Sequence, residues 1–172
     1  SSSEVIQTKE DAVKFLKDHR ASFVNLWFTD VLGQLKSFNI WESEVEGALV
    51  EGMGFDGSSI EGFVRIEESD LVVKPIPSTI RLLPYRPQDE NRVAAMFCEI
   101  FHPDGSRFEG DSLLVLERQL ERMKKLGFDH YYVGPELEFF LFTDNRPGDM
   151  SEKILDRGNY FGVADDAGVN IR

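Results

Sequence analysis

Glu136 and Glu138 stand two residues apart at the head of the apolar run Phe139-Phe140-Leu141-Phe142. Five of the seven residues from 136 to 142 are large and apolar, the composition of a strand buried on both faces. Side chains alternate along a strand, so the two carboxylates would share a face about 7 Å apart, continued by Phe140 and Phe142. A divalent cation, which takes oxygen ligands, suits such a pair. The plainer alternative places both glutamates in the solvated approach to the strand. A second candidate is Asp56, in Gly52-Met53-Gly54-Phe55-Asp56-Gly57-Ser58-Ser59-Ile60-Glu61-Gly62-Phe63. Glycines at 52, 54, 57 and 62 allow backbone conformations closed to other residues. The Asp56 carboxylate and the hydroxyls of Ser58 and Ser59 could then meet a cation or ammonium. The alternative here is an ordinary Asp-Gly turn.

Other chemistries find little support. No Gly-Lys-Ser/Thr follows the glycines, so the loop is not a Walker phosphate cradle. His19, His102 and His130 are scattered, without the spacing of a zinc site. No Gly-x-Ser-x-Gly marks a hydrolase nucleophile. Arg65 and Asp70 read, on residue type alone, as surface or salt-bridging groups.

Elements that would position these residues can be traced along the chain. Thr8 can cap a helix that opens with Lys9-Glu10-Asp11, carries Ala12, Val13, Phe15 and Leu16 on one face, and ends near His19-Arg20. Phe23 to Phe28 and Leu35 to Trp41 read as a hairpin turned at Asp30 to Gln34. Ser43 is placed to cap a short helix through about Leu49, and Gly52 to Gly62 reads as a loop. Leu71-Val72-Val73 is a short strand. Arg92 to Phe101 is a long one, closed by the turn residues His102-Pro103-Asp104-Gly105. Asp111 caps an amphipathic helix whose stripe, Leu113, Leu114, Leu116, Leu120 and Met123, suits core packing, with Gly127 as its stop. Phe128 to Val133 and Glu136 to Thr143 read as strands. Residues 144–172 show no core stripe of their own.

At 172 residues, 41% hydrophobic and with fourteen phenylalanines, the chain has material for a core. Its net charge of −12 disfavours nucleic acid and anionic membrane as partners. No apolar run approaches the roughly 18–20 residues that span a bilayer, and Ser1-Ser2-Ser3-Glu4 lacks the regions of a signal peptide. Cys98 is the one cysteine and sits in an apolar strand pattern, as a small hydrophobe would. A cytoplasmic protein is expected.

Four segments, in this order and at these distances, carry a resemblance: Asn25-Leu26-Trp27-Phe28-Thr29-Asp30, Asp56-Gly57-Ser58-Ser59, Glu68-Ser69-Asp70, and Gly134-Pro135-Glu136-Leu137-Glu138-Phe139-Phe140. From about Thr8 onward the chain resembles the N-terminal part of glutamine synthetases of the bacterial and archaeal type. The resemblance implies an α+β fold: a flexible tail over residues 1–7, a β-grasp domain over 8–105, and the beginning of a catalytic domain over 106–172. It implies ATP-dependent joining of L-glutamate and ammonium through a γ-glutamyl phosphate, with magnesium or manganese as cofactor. Asp56 would reach a neighbouring subunit's active site to bind and help deprotonate ammonium, with Ser59 nearby. Glu136 would serve the metal site nearer the ATP phosphates and Glu138 the one nearer glutamate. Arg65 would influence feedback inhibition by glutamine, and the role of Asp70 stays open. A homo-oligomer of two stacked hexameric rings is implied as well. The remaining ligands and the nucleotide and glutamate pockets would lie downstream, so the 172-residue chain by itself is expected to be inactive. Two rivals stay in view: a non-catalytic structural relative, and a γ-glutamyl ligase using another amine.

Overall fold

The computed structural model describes residues 5–59, 70–84 and 91–144. The chain forms two compact units, Ser1–Asp129 and His130–Arg172. Arg65, the Glu68-Ser69 pair, most of the N-terminal tail and the stretch beyond residue 144 lie outside the described residues.

The first helix, α1 (Lys9–Asp18), begins where Thr8 adopts an extended backbone and accepts the Asp11 amide through Oγ1 at 3.1 Å. Asp11 Oδ2 in turn accepts the Thr8 and Gln7 amides at 2.9 and 3.1 Å, a reciprocal capping box. These bonds, from the amides of Thr8 and Gln7 and the Thr8 hydroxyl, hold the Asp11 carboxyl below its ordinary value. A depressed carboxyl contributes stability above its unfolded pKa, about 3.9, and loses it as pH falls through the lower folded value. Acid titration of Thr8→Ala should therefore show a shallower loss of stability below about pH 4 than the parent chain. At neutral pH the same change should cost about 1 kcal/mol in a urea titration.

Ala12 and Leu16 face the core from α1, one turn apart. Strand β1 (Ala21–Thr29) alternates, with Val24, Leu26 and Phe28 buried. It turns at Asp30 into β2 (Leu35–Trp41), which pairs with it antiparallel. Asp30 is 2% exposed, and its Oδ1 accepts the Leu32 and Gln34 amides at 2.9 and 2.8 Å. Burial pushes its carboxyl up, but those two amides and Lys36, 3.4 Å away, bring it below the ordinary value.

A short 3-10 turn, Glu42–Glu44, leads directly into α2 (Val45–Glu51). The expected Ser43 cap does not form. Residue 43 already lies inside a helical turn, whereas a cap needs the extended backbone that Trp41 adopts just before it. Glu44 takes over, accepting the Trp41 amide at 2.8 Å. Gly52 follows with φ +84°, and an added Cβ there would meet Val72 Cγ1 at 2.5 Å and the Val73 carbonyl at 2.9 Å.

The expected loop from Gly52 begins instead as a strand, β3 (Met53–Asp56), paired antiparallel with β4 (Asp70–Pro75). Met53 and Phe55 alternate with Gly54 and Asp56, and the Phe55 ring packs on Phe28 and Phe38 at 5.3 and 6.3 Å. That packing and the ladder to β4 prevail over the low strand preference of glycine. Beyond β4 come β5 (Arg81–Leu82) and β6 (Arg92–Phe101).

The sheet runs β2-β1-β6-β4-β3, with β5 also on β6. The central strand β6 lies parallel to β1 and antiparallel to β4 and β5. Ala94, Ala95, Met96, Cys98 and Ile100 make it an almost continuous buried run. Helices α1 and α2 close over the core that holds Leu16, Val24, Leu26, Val45, Val73 and Met96. Burial pushes the Cys98 thiol up to about 12, as expected of an inert small hydrophobe.

Asp111 caps α3 (Ser112–Lys125) through the Leu113 amide at 3.0 Å, and Gly127 ends it with φ +91°. The expected core stripe is only begun: Leu114 is buried, while Leu116 is 54% exposed and Leu120 is exposed too. Periodicity shows which face is apolar, but no described element lies across Leu116 and Leu120 to cover it.

Among the described residues the strands expected at Phe128–Val133 and Glu136–Thr143 do not form: Phe142 makes an isolated β-bridge and no ladder is present. The core expected around them is open, with Leu137 85% and Phe140 71% exposed. An apolar run favours burial, but a strand exists only by hydrogen bonding to a partner, and the described residues there form no ladder.

Candidate functional site

Asp56 is the last residue of β3, and its position follows from its neighbours. Phe55 anchors the strand in the aromatic cluster with Phe28 and Phe38. Alternation then turns Asp56 to the other face, where it is exposed. Across the ladder its register partner is Asp70.

After Asp56 the chain enters a 3-10 turn, Gly57–Ser59, in which Gly57 is buried. Asp56 Oδ1 accepts two bonds from Ser58, from its amide at 3.0 Å and from its hydroxyl at 2.6 Å. They fix one carboxylate oxygen against the turn and so orient the group. From the sequence, the hydroxyls of Ser58 and Ser59 are expected to meet a cation or ammonium together with the Asp56 carboxylate. In the structure the Ser58 hydroxyl is already committed to Asp56. Ser59 contributes its backbone to the turn. The signal for the Ser58 contact was legible in the Asp-Gly-Ser spacing, because Asp side chains bond to groups two residues on. Asp104-Gly105-Ser106 shows the same pair of hydrogen bonds, of 2.8 and 2.6 Å to Asp104 Oδ1. There the Ser106 hydroxyl and amide hold the Asp104 carboxyl below its ordinary value.

Glu136 and Glu138 belong to the second unit, and both are exposed. Carboxylate oxygens are the right donors for magnesium or manganese, which want about six. Among the described residues no group of three or more His, Cys, Asp and Glu side chains could hold a metal ion. The two glutamates have the right chemistry for such a site and are too few to complete one. Among the described residues, the structure thus brings Asp56 and Ser58 together and gathers no complete metal centre. No described helix is long and apolar enough to cross a membrane.

Comparison with known proteins adds three findings. Residues 20–103 match the family model of the glutamine synthetase β-grasp domain, and residues 109–168 that of the glutamine synthetase catalytic domain. Among curated proteins, a glutamine synthetase of Thermus thermophilus is 47% identical over 159 residues, which is 91% of this chain and 36% of that protein. One of Mycolicibacterium smegmatis is 49% identical over 166 residues, or 95% of this chain and 37% of the relative. The chain thus spans little more than a third of the length of these relatives. Among solved structures, the Plasmodium falciparum glutamine synthetase superposes with a TM-score of 0.63 at 22% identity, over 74% of this chain and 24% of that one. A GmaS/ADP complex superposes with a TM-score of 0.60 at 19% identity, covering 67% and 26% of the respective chains. At such identities the likeness speaks for the fold.

Proposed function

The chain belongs to the glutamine synthetase family, and we propose that it is the N-terminal part of a glutamate–ammonia ligase. In this reading ATP phosphorylates the side-chain carboxylate of L-glutamate, and ammonia displaces the phosphate to give glutamine. The observation that carries the reading is the exposed, Ser58-oriented carboxylate of Asp56 within a stretch that matches glutamine synthetases across both family models.

Ammonium has no lone pair and must lose a proton before it can attack. Asp56 would hold the cation by charge, accept the proton, and leave neutral ammonia facing the acyl phosphate. Ser59 would stand beside it. Magnesium or manganese, partly held by Glu136 and Glu138, would supply charge neutralisation at the phosphates. The other oxygens of that site must come from beyond the described residues. Arg65 is proposed as a contact through which glutamine feeds back. We place the protein in the cytoplasm, as a dodecamer of two hexameric rings in which Asp56 serves a neighbouring subunit. Alone, the 172-residue chain is expected to make no glutamine.

The test replaces the matching N-terminal stretch of the Mycolicibacterium smegmatis relative with this chain and measures glutamine formation from glutamate, ammonium and ATP. The hybrid should be active and the 172-residue chain inactive. An assembled hybrid that forms no glutamine, or that prefers a polyamine to ammonium, would remove the reading.

A further inference from the structure

Among the described residues, the non-glycine positions with a left-handed backbone are Arg20 (φ +54°) and Asn91 (φ +62°), and both flank one point in the sheet. There β1 begins with an irregularity: Ala21 pairs with Arg92 and Phe23 with Val93, which leaves Ser22 over. The Ser22 hydroxyl reaches Asn91 Oδ1 at 3.4 Å. Bulges and left-handed non-glycine residues both gather where a fold re-aims side chains at a ligand. The same point borders a cleft of about 460 Å³ between the end of α1 and the end of β2. That volume falls within the range of small-molecule sites.

Lys17 and Arg20 bring two cations to the cleft, Glu42 a carboxylate, and Ser22 and Ser43 hydroxyls. Among the described residues no carboxylate forms an ion pair with either cation. The dipole of α1 accounts for Lys17, which lies in its last turn. It does not account for Arg20, which stands past the helix end in a conformation that glycine or asparagine adopts at less cost. Trp41 gives the cleft a flat apolar wall. It is 59% exposed, its ring packs on Phe23 at 4.3 Å, and its amide is held by Glu44. A planar ring can stack on the indole while an anionic group meets the cations. Two cations against one carboxylate suit a single anionic group and not a polyanion. We propose that this cleft binds a small aromatic anion, with Trp41 as the stacking platform and Lys17 and Arg20 as the charge partners. A nucleoside monophosphate and an aromatic carboxylate share that chemistry. None of these residues is among the expected ammonium or metal contacts, so the proposal stands or falls apart from the ligase reading.

The chain has two tryptophans, Trp27 and Trp41, so Trp27→Phe leaves Trp41 as the sole indole reporter. Phenylalanine keeps a ring against Phe97, where Trp27 packs at 5.5 Å. In that background, inosine monophosphate or benzoate should quench the fluorescence saturably, with a Kd below about 1 mM. Inosine and inorganic phosphate, which carry only the ring or only the anion, should bind at least about tenfold more weakly. Saturation by either anionic probe supports the site, and the tighter of the two tells which anionic group it takes. Arg20→Gly relaxes the left-handed position, so its urea midpoint should equal or exceed that of the parent. Its affinity for the probe should nevertheless fall about 10–100-fold, the scale of a hydrogen bond to a charged group. Arg20→Lys, which keeps the charge, should lose less. The proposal is overturned if neither probe saturates, if inosine or phosphate binds as tightly, or if Arg20→Gly leaves the affinity intact. An Arg20→Gly chain less stable than the parent overturns it as well, because Arg20 would then serve the fold.

Discussion

In the full-length hybrid, Asp56→Ala lowers kcat/KM for ammonium by about 10²–10⁴-fold, the range typical of a positioned general base together with the charge that holds its substrate. Asp56→Asn should fall nearly as far. Asparagine keeps an oxygen that can accept both Ser58 bonds, so the turn survives, but it has neither the negative charge nor a site for the proton. Similar losses in the two variants would therefore locate the effect in chemistry and not in folding of the β3 end. The pH dependence sharpens the point. As pH rises toward the pKa of ammonium itself, solution supplies ready-made ammonia, and the deficit of Asp56→Asn should shrink. Steady-state rates at several pH values, with total ammonium varied, measure this. A deficit that stays constant across pH would mean that Asp56 binds the cation without taking its proton. No deficit at all would end its role in the reaction.

How much of this was legible in the residues depends on where each interaction closes. Features that close within a few positions were readable. The Thr8–Asp11 box, the Asp30 turn and the Asp111 cap all bond two to four residues away, so local spacing sufficed. The long strand β6 was equally plain, because ten residues between a basic start and a Pro-Asp-Gly turn leave little alternative. Features that need a distant partner were misread. β3 looked like a loop because its glycines weigh against a strand, and its reason for being one is the ladder to Leu71–Val73. The run at Glu136–Phe142 erred in the other direction. Its composition is that of a buried strand, yet the described residues form no ladder there and leave Leu137 and Phe140 exposed. The candidate site divides the same way. The Asp56 turn is local and was legible, Ser58 included once its spacing is noticed. The metal binding proposed for Glu136 and Glu138 would need further oxygens from elsewhere, which no two-residue spacing can disclose.

Asp111→Ala is expected to be strongly destabilising. Asp111 is only 1% exposed and closes three interactions at once. Oδ1 caps α3 at the Leu113 amide, and Oδ2 accepts the Ile100 amide of β6 and Arg107 Nη2, each at 3.1 Å. One carboxylate thus ties the central strand to the start of α3. Alanine removes the cap, worth about 1 kcal/mol. It also strands the buried Ile100 amide, which costs about 1–3 kcal/mol. Arg107 is better protected, because Glu99 at 2.6 Å and Glu117 at 3.2 Å remain beside its guanidinium. The sum is about 2–4 kcal/mol, short of the roughly 3–5 kcal/mol for a fully orphaned buried charge. It corresponds to a drop in Tm of roughly 5–15 °C for a chain of this size. Asp111→Asn discriminates between the contributions. Its amide oxygen can keep the helix cap but cannot serve Leu113, Ile100 and Arg107 together, so it should recover about 1 kcal/mol of the loss. Urea titrations of the three proteins measure both effects. If Asp111→Ala costs under 1 kcal/mol, the tie between β6 and α3 does not hold the unit together. If asparagine recovers nothing, the cap contributes little and the loss belongs to the Ile100–Arg107 side of the carboxylate.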